Sequence, residues 1–372
     1  MSAHILQITA RKRQDPTALV DPTDFEFSRG PEIDPQIVIT DPLLSLYCLD
    51  HANRRALFVE IAGGVDITQA PFYYQAQYEN AVRLIGVPYE TLHQLASQVS
   101  VDPACLIFIY SVGRSGSTLV GAALNAIPGT INYSEPDVFT QLVVFRQLQG
   151  VDEAEVSELV RSCTRLLCKG TEQTPGPFRW VIKFRSFVIE LGDLLYAHFP
   201  QAKTIFLYRH AEGFMASSMR AFGGAMDTPE VRTMIQSWLS TLVPSIARHV
   251  REGGPLLTYA SLSAWLWLRT IERYMELQKS GMPGMTVRFE DLKSASRETI
   301  HSIIAYCDLF TQNMEAVYQV FEKDSQAGSV LSQEKLRQSQ FELTEAHRFD
   351  LAQALQAHPF IKSADFVIPA RL

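Results

Sequence analysis

The sequence predicts an α/β fold: a central parallel sheet flanked by helices, with an N-terminal elaboration. Three observations predict it. Short apolar runs recur at 106–110, 180–184, 204–208 and 285–289, each followed by a helical pattern. Strands that alternate with helices argue for a parallel sheet covered on both faces. The first run passes through a small-residue loop, 111–117, straight into a helix start. The composition is globular, with 372 residues, 47% hydrophobic and 20% charged, enough to bury a large core.

Taken in order, residues 1 to 35 are polar and carry Pro16, Pro22, Pro31 and Pro35, which predicts an extended or partly ordered arm. A strand is expected at 55–61 (RALFVEI), then a turn at Gly63-Gly64, then helices at 71–85 and 89–99. Residues 1–100 are thus read as an arm and elaboration, and 101–372 as the main α/β domain. Helices are expected at 137–149, 153–168, 188–198, 211–220, 260–279, 294–307 and 311–323. Between them, 221–259 holds Gly223-Gly224 and Gly253-Gly254-Pro255, a pattern of one helix within long loops and a place for a substrate lid. Trp265 and Trp267 lie two apart on a helix and are read as core residues.

The formal net charge is −7, which argues against nucleic acid as a partner. Any anionic ligand then needs a local basic cluster. No apolar run approaches the ~18–20 residues of a membrane span. The N-terminus, MSAHILQITARKRQDP, shows no signal-peptide core. A cytoplasmic enzyme without a membrane partner is the expectation. Cys48, Cys105, Cys163, Cys168 and Cys307 form no CxxC pair and read as reduced thiols. There is no HExxH and no Cys/His cluster, so no metal is expected.

The stretch LIFIYSVGRSGSTLVGAALN, 106–125, carries the most chemistry. Strand, glycine-bearing loop and helix start together build a phosphate cradle, because backbone N–H groups converge there and a helix N-terminus favours an anion. A triphosphatase loop would read G-x-x-x-x-G-K-[ST]. Aligned on Gly116, Ser111 stands at the first glycine and Ser117 at the lysine. The loop's cation is instead Arg114. That arrangement suits an anion but not a Mg-triphosphate. By itself the loop is also compatible with a serine-rich βα turn that binds nothing.

TIFLYRHAEGFMASSMR is the second signal. The run 204–208 ends in Arg209, at the carboxyl edge where open α/β sheets bind ligands. Ser217 follows eight residues later, on the next helix. A planar guanidinium and a hydroxyl so placed suit a compact dianion. An ordinary pairing of Arg209 with Glu212 fits the local sequence equally well.

Together these elements resemble the sulfotransferase superfamily that uses 3′-phosphoadenosine 5′-phosphosulfate (PAPS). In soluble members the 5′-phosphosulfate loop reads roughly P-K-S-G-T-T; here it is Gly113, Arg114, Ser115, Gly116, Ser117, Thr118. Glycan-modifying members are more similar still. They carry R-S-G-S-[ST] and, further on, an E-P pair, matched by RSGST at 114–118 and Glu135-Pro136. Arg209 and Ser217 keep the spacing of the family's 3′-phosphate site, and VRFEDL at 287–292 resembles its late strand and turn. The resemblance covers roughly residues 104 to 340.

The resemblance implies a P-loop-type core, PAPS as co-substrate and 3′,5′-adenosine bisphosphate (PAP) as product. It implies that Gly113 to Thr118 hold the 5′-phosphosulfate and that Arg209 and Ser217 hold the 3′-phosphate. Sulfuryl transfer needs cations and N–H donors on the bridging and equatorial oxygens, and a base for the acceptor proton. Lys183 fits the cation. Arg185 stands where soluble members have a basic histidine, and an arginine cannot accept a proton at ordinary pH. The E-P pair makes Glu135 the candidate base, with Asp137 and His210 behind it. Leu119 replaces the aromatic that touches adenine in soluble members, and no R-K-G triplet stands near the C-terminus. Residues 322–337, with Ser325, Gly328 and Ser329, are a candidate replacement for that triplet, or a solvated linker. The acceptor is a small molecule or a glycan-like alcohol or amine. The competing readings are an ATP-dependent P-loop phosphotransferase and a non-catalytic nucleotide-binding relative.

Overall fold

The computed structural model describes residues 2–148, 150–170, 179–223, 228–327, 332, 334–335 and 341–369. The chain divides into two compact units. The first comprises Met1–Leu106, Gly129–Phe184 and Leu194–Ala202, and the second Ile107–Pro128, Arg185–Asp193 and Lys203–Leu372. The class is α/β, with a five-stranded parallel sheet flanked by helices.

The first unit is built on a five-stranded antiparallel sheet. Its strands are β1 (Ala3–Arg11), β2 (Phe25–Ile33), β3 (Leu44–Asp50), β4 (Arg55–Ile61) and β5 (Ala81–Pro88), in the order β2-β1-β5-β4-β3. Strand β4 lies where the apolar run predicts it. The N-terminal arm does not: residues 3–11 and 25–33 are paired strands, and in the first Leu6, Ile8 and Ala10 alternate with exposed Gln7, Thr9 and Arg11, the period of a sheet. The prolines misled. Pro16 and Pro22 sit in the connection, and Pro31 lies in β2, an edge strand, where a missing N–H costs no ladder bond. The helix expected at 71–85 ends early, at Tyr73–Asn80. Residues 81–88 (AVRLIGVP) instead form β5 between β1 and β4, where Leu84, Ile85 and Val87 are fully buried. Sheet packing of apolar, partly β-branched side chains outweighs a helical pattern that lacked its own stop signal.

Helix Tyr89–Gln98 packs on β4 and β5, and helix Glu153–Leu167 packs on it and on β3. Two parallel strands complete this unit, β7 (Thr130–Ser134) and β8 (Arg179–Lys183), with Ser134 opposite Lys183. The β7 strand escaped the sequence reading, since TINYS is short and mostly polar. It is nonetheless buried.

In the second unit β6 (Leu106–Ser111), β9 (Lys203–Tyr208) and β10 (Met285–Arg288) run parallel in the order β10-β9-β6. Every residue of β6 is buried, which explains its unbroken apolar run. Register pairs Ser111 with Leu207 and Arg288 with Tyr208, so all three strands end at one edge. Helix Tyr259–Lys279 stacks Tyr274 on Phe206 of β9, ring centroids 4.2 Å apart, and buries Trp267 completely. Trp265 is only half-buried, in edge contact with His249. Residues 228–259 hold two helices, Pro229–Ser240 and Pro244–Arg251, where one was expected. Both begin with proline at a first-turn position, where a missing N–H is harmless.

Candidate functional site

The second unit gathers the two anion-binding signals at the common strand edge. The loop after β6 turns back on itself through Gly113 (φ +82°), Arg114 (φ +53°) and Gly116 (φ +83°) before helix Ser117–Asn125 begins. An arginine in left-handed backbone costs about 1 kcal/mol or more and persists only where its surroundings hold it. Those holds are visible. Arg114 Nε donates to Ser217 Oγ at 3.1 Å and Nη1 donates to Gln326 Oε1 at 3.1 Å. Its carbonyl accepts from Arg209 Nη1 at 3.0 Å. Below the loop, fully buried Ser115 donates to Leu207 O at 3.2 Å, and Ser111 Oγ donates to Ser117 Oγ at 3.3 Å. Ser117 and Thr118 are buried at the helix start.

Gly116 is required twice over. Its φ excludes most side chains, and a Cβ there would lie 2.8 Å from Leu292 Cδ2 and 3.2 Å from Phe289 Cδ2. The VRFEDL segment is therefore the floor of the loop: β10 ends at Arg288 and the helix Phe289–Ser294 packs against Gly116.

Arg209 leaves the end of β9. Its guanidinium lies over the Phe289 ring, 4.5 Å from the centroid, and its carbonyl accepts from Trp267 Nε1 at 2.9 Å. Burial pushes the group below its ordinary value, Glu290 offsets this, and the charge of Arg220 adds to it. The buried Arg209 Nε–H has no hydrogen-bond partner among the described residues. A desolvated guanidinium with an unused donor, at a strand edge beside a strained arginine loop, has the chemistry of an anion site. Arg209 does not pair with Glu212, which contacts Arg348 instead. Nearby His210 caps the following helix, its Nδ1 accepting from Gly213 N at 3.0 Å.

The first unit holds the second set of candidates. Ser134 ends β7, and Glu135 follows in left-handed backbone (φ +62°). Its N–H donates to Lys183 O at 2.6 Å, while Lys183 Nζ donates to Glu135 Oε1. The pair is largely enclosed, with side-chain exposures of 14% for Glu135 and 4% for Lys183. The turn is held on both sides. Ser134 Oγ donates to Pro71 O at 2.7 Å, and Asp137 Oδ2 accepts from Val20 N at 2.9 Å. Asp137 is 1% exposed, so it serves as a buried clip on the loop between β1 and β2.

Arg185 is half-buried and opens the 3₁₀ turn Ser186–Leu191 in the second unit. Ser325 is half-buried beside Gln326, so the 322–327 turn does reach the loop, through an amide rather than a serine. Gly328 and Ser329 lie outside the described residues. Gln326, Phe289 and Arg220 escaped the sequence reading. Phe289 and Gln326 lie in VRFEDL and in 322–337, segments the sequence singled out without naming these two side chains.

The sequence profile of the sulfotransferase family matches residues 107–313, more than half of the chain. The chain belongs to the sulfotransferase family, and the protein is a sulfotransferase. No curated protein matches it by sequence. Among solved structures it is similar to the sulfotransferase domain of the curacin biosynthetic pathway (15% identity, 66% of this chain and 96% of that one, TM-score 0.37). It is similar to a sulfotransferase from Mycobacterium tuberculosis H37Rv (15% identity, 70% and 81%, TM-score 0.39). It is also similar to a mouse sulfotransferase complexed with PAP (12% identity, 72% and 88%, TM-score 0.38). Among the described residues no helix is long and apolar enough to cross a membrane.

Proposed function

We propose that the protein moves a sulfuryl group from PAPS to a hydroxyl or amine of a small-molecule or carbohydrate-like acceptor. The observation that carries the proposal is the hydrogen-bonded chain Ser217–Arg114–Arg209, which joins the loop motif to the second anion signal. A nucleotide with phosphates at both 5′ and 3′ positions needs two such signals, whereas a Walker-type donor needs only the first. Gly113 to Thr118 would hold the 5′-phosphosulfate, and Arg209 and Ser217 the 3′-phosphate. The unused Nε–H of Arg209 fits an anionic oxygen.

PAPS supplies an activated sulfuryl group and an anionic leaving group. The acceptor oxygen or nitrogen forms its bond to sulfur as the bridging S–O bond breaks, and the electron pair leaves with the 5′-phosphate. Glu135 takes the acceptor proton. Lys183 and Arg114 neutralise charge on the sulfuryl and phosphate oxygens. The sequence motif links Glu135 to the loop, since RSGST and the E-P pair occur together in the members this chain resembles. Asp137 suits the base role poorly, because its carboxylate is buried on the Val20 N–H. His210 Nδ1 is engaged by Gly213 N–H.

The test is incubation with sulfur-labelled PAPS and a panel of alcohols, phenols, amines and saccharides. Labelled acceptor should form in step with PAP. Transfer that requires ATP and magnesium instead would overturn the proposal.

A further inference from the structure

Helix Pro229–Ser240 carries an apolar stripe that the fold covers only in part. Gln236 and Leu239 form its buried side, and Gln236 Oε1 accepts from Leu257 N at 2.8 Å. Val231, Met234, Ile235 and Trp238 recur beside them at the i, i+3, i+4, i+7 spacing of one helix face. Val231 and Ile235 are half-buried, while Met234 is 62% and Trp238 38% exposed. Large apolar side chains left in a row on a surface mark a contact site. At about 1.5 Å per residue the stripe is about 10 Å long.

One end of the stripe lies beside the anion loop. The Trp238 ring meets Phe187 edge-on, ring centroids 5.4 Å apart. Phe187 belongs to the turn Ser186–Leu191, and its neighbour Ser186 stands against the loop. A Cβ on Gly113 would lie 3.9 Å from Ser186 Oγ and 3.8 Å from the Phe214 ring. The ring that Trp238 touches is thus one residue away from the wall of the loop. An acceptor that brings its hydroxyl or amine to the loop has this face next to the rest of its body.

The face offers little to a saccharide. Thr233 Oγ1 donates to Pro229 O at 2.8 Å, Ser240 Oγ to Ser237 O at 2.6 Å and Thr241 Oγ1 to Trp238 O at 2.7 Å. These three hydroxyl protons are turned onto the helix's own carbonyls. A polyhydroxy ligand laid here gives up hydrogen bonds to water without replacing them, whereas an apolar body gives up none.

We propose that the acceptor is an alcohol or amine with an apolar body, and that Met234 and Trp238 bind that body while its hydroxyl or amine reaches the loop. This rests on sulfuryl transfer from PAPS and narrows it. Saccharides are set aside, and the preferred acceptor has an apolar chain about as long as the stripe.

The experiment measures kcat/KM for transfer from PAPS to straight-chain alcohols from ethanol to decanol, with glucose and glucosamine alongside. It uses wild type, Trp238→Ser, Trp238→Phe and Met234→Ser. Each alcohol should give its alkyl sulfate in step with PAP. In wild type kcat/KM should rise about two- to fourfold per added methylene, the worth of half to full burial of each group, until the chain matches the stripe. Trp238→Ser should lower the value for decanol about tenfold and flatten the series. Met234→Ser should flatten it less, and Trp238→Phe should restore most of the slope. A slope that survives both serine variants, or glucose used as well as decanol, overturns the inference and leaves the donor assignment standing. A wild-type dimer that Trp238→Ser separates in sedimentation, with the slope intact, also overturns it and gives the stripe to a second copy of the chain. Calorimetric titration with PAP separates the two levels. Wild-type protein that binds PAP and sulfates no alcohol overturns this inference alone, and protein that does not bind PAP removes the donor assignment with it.

Discussion

Replacing Glu135 by Gln should separate chemistry from stability. Its partner ammonium is only 4% exposed and Glu135 itself 14%, so the pair is close to a buried one. Breaking a buried pair by removing one charge costs about 3–5 kcal/mol. Glutamine retains an oxygen for Lys183 Nζ and the carboxylate is partly wet, so about 2 kcal/mol is the expected loss here. Loss of a general base costs about 10²–10⁴ in turnover, or about 3–5 kcal/mol of barrier. The assays are steady-state transfer from PAPS, calorimetric affinity for PAP, and urea unfolding. Turnover should collapse, PAP affinity should hold, and the urea midpoint should fall. The double variant Glu135→Gln with Lys183→Met should regain stability without regaining turnover. Near-wild-type turnover in folded Glu135→Gln would refute the base assignment.

Other positions give sharper structural tests. Gly116→Ala places a methyl 2.8 Å from Leu292 at φ +83°, so it should cost about 1–3 kcal/mol of stability by chemical denaturation and weaken PAP binding as the loop shifts. Glu190, 8% exposed, takes bonds of 2.7 and 2.9 Å from Arg269. Arg269 keeps Glu272 and Glu276, so Glu190→Ala should cost about 2 kcal/mol in urea unfolding rather than the full penalty of an orphaned charge. Lys169 donates to Val38 O and Asp41 O, and burial pushes its amine from 10.5 down to about 8. The unfolded chain therefore binds the extra proton between those values. The stability contributed by this group is present above 10.5 and is lost as pH falls through about 8. Lys169→Met should flatten that part of the stability profile, and an unchanged slope would contradict the assignment.

What the sequence made legible follows from how each segment is held. The parallel strands β6, β8, β9 and β10 are short apolar runs fixed by burial, and burial writes itself into composition. That Arg114, Arg209 and Ser217 meet was legible because a loop and a strand end fix spacing along the chain. β5 was misread because its partners, β1 and β4, are distant in sequence and cross-strand packing leaves no local mark. The same holds for β1 and β2: the prolines between and after them looked like an arm, and Pro31 lies in an edge strand. Gln326 and Phe289 approach the loop from more than a hundred residues away, by contacts that no local pattern encodes. The positive φ of Glu135 was equally unreadable, since nothing in a glutamate announces left-handed backbone. That geometry is supplied by Lys183 O, Pro71 O and Val20 N, which grip the turn from three other segments.

The central claim is that the loop and the Arg209–Ser217 pair together hold a nucleotide with phosphates at both 5′ and 3′ positions. Calorimetric titration of the purified protein with PAP, in the presence of a chelator, tests it most directly. The account predicts saturable binding without added metal, weakened by Arg209→Gln and by Ser217→Ala. Absence of heat, with no thermal shift at millimolar PAP while ATP with magnesium binds, would contradict it.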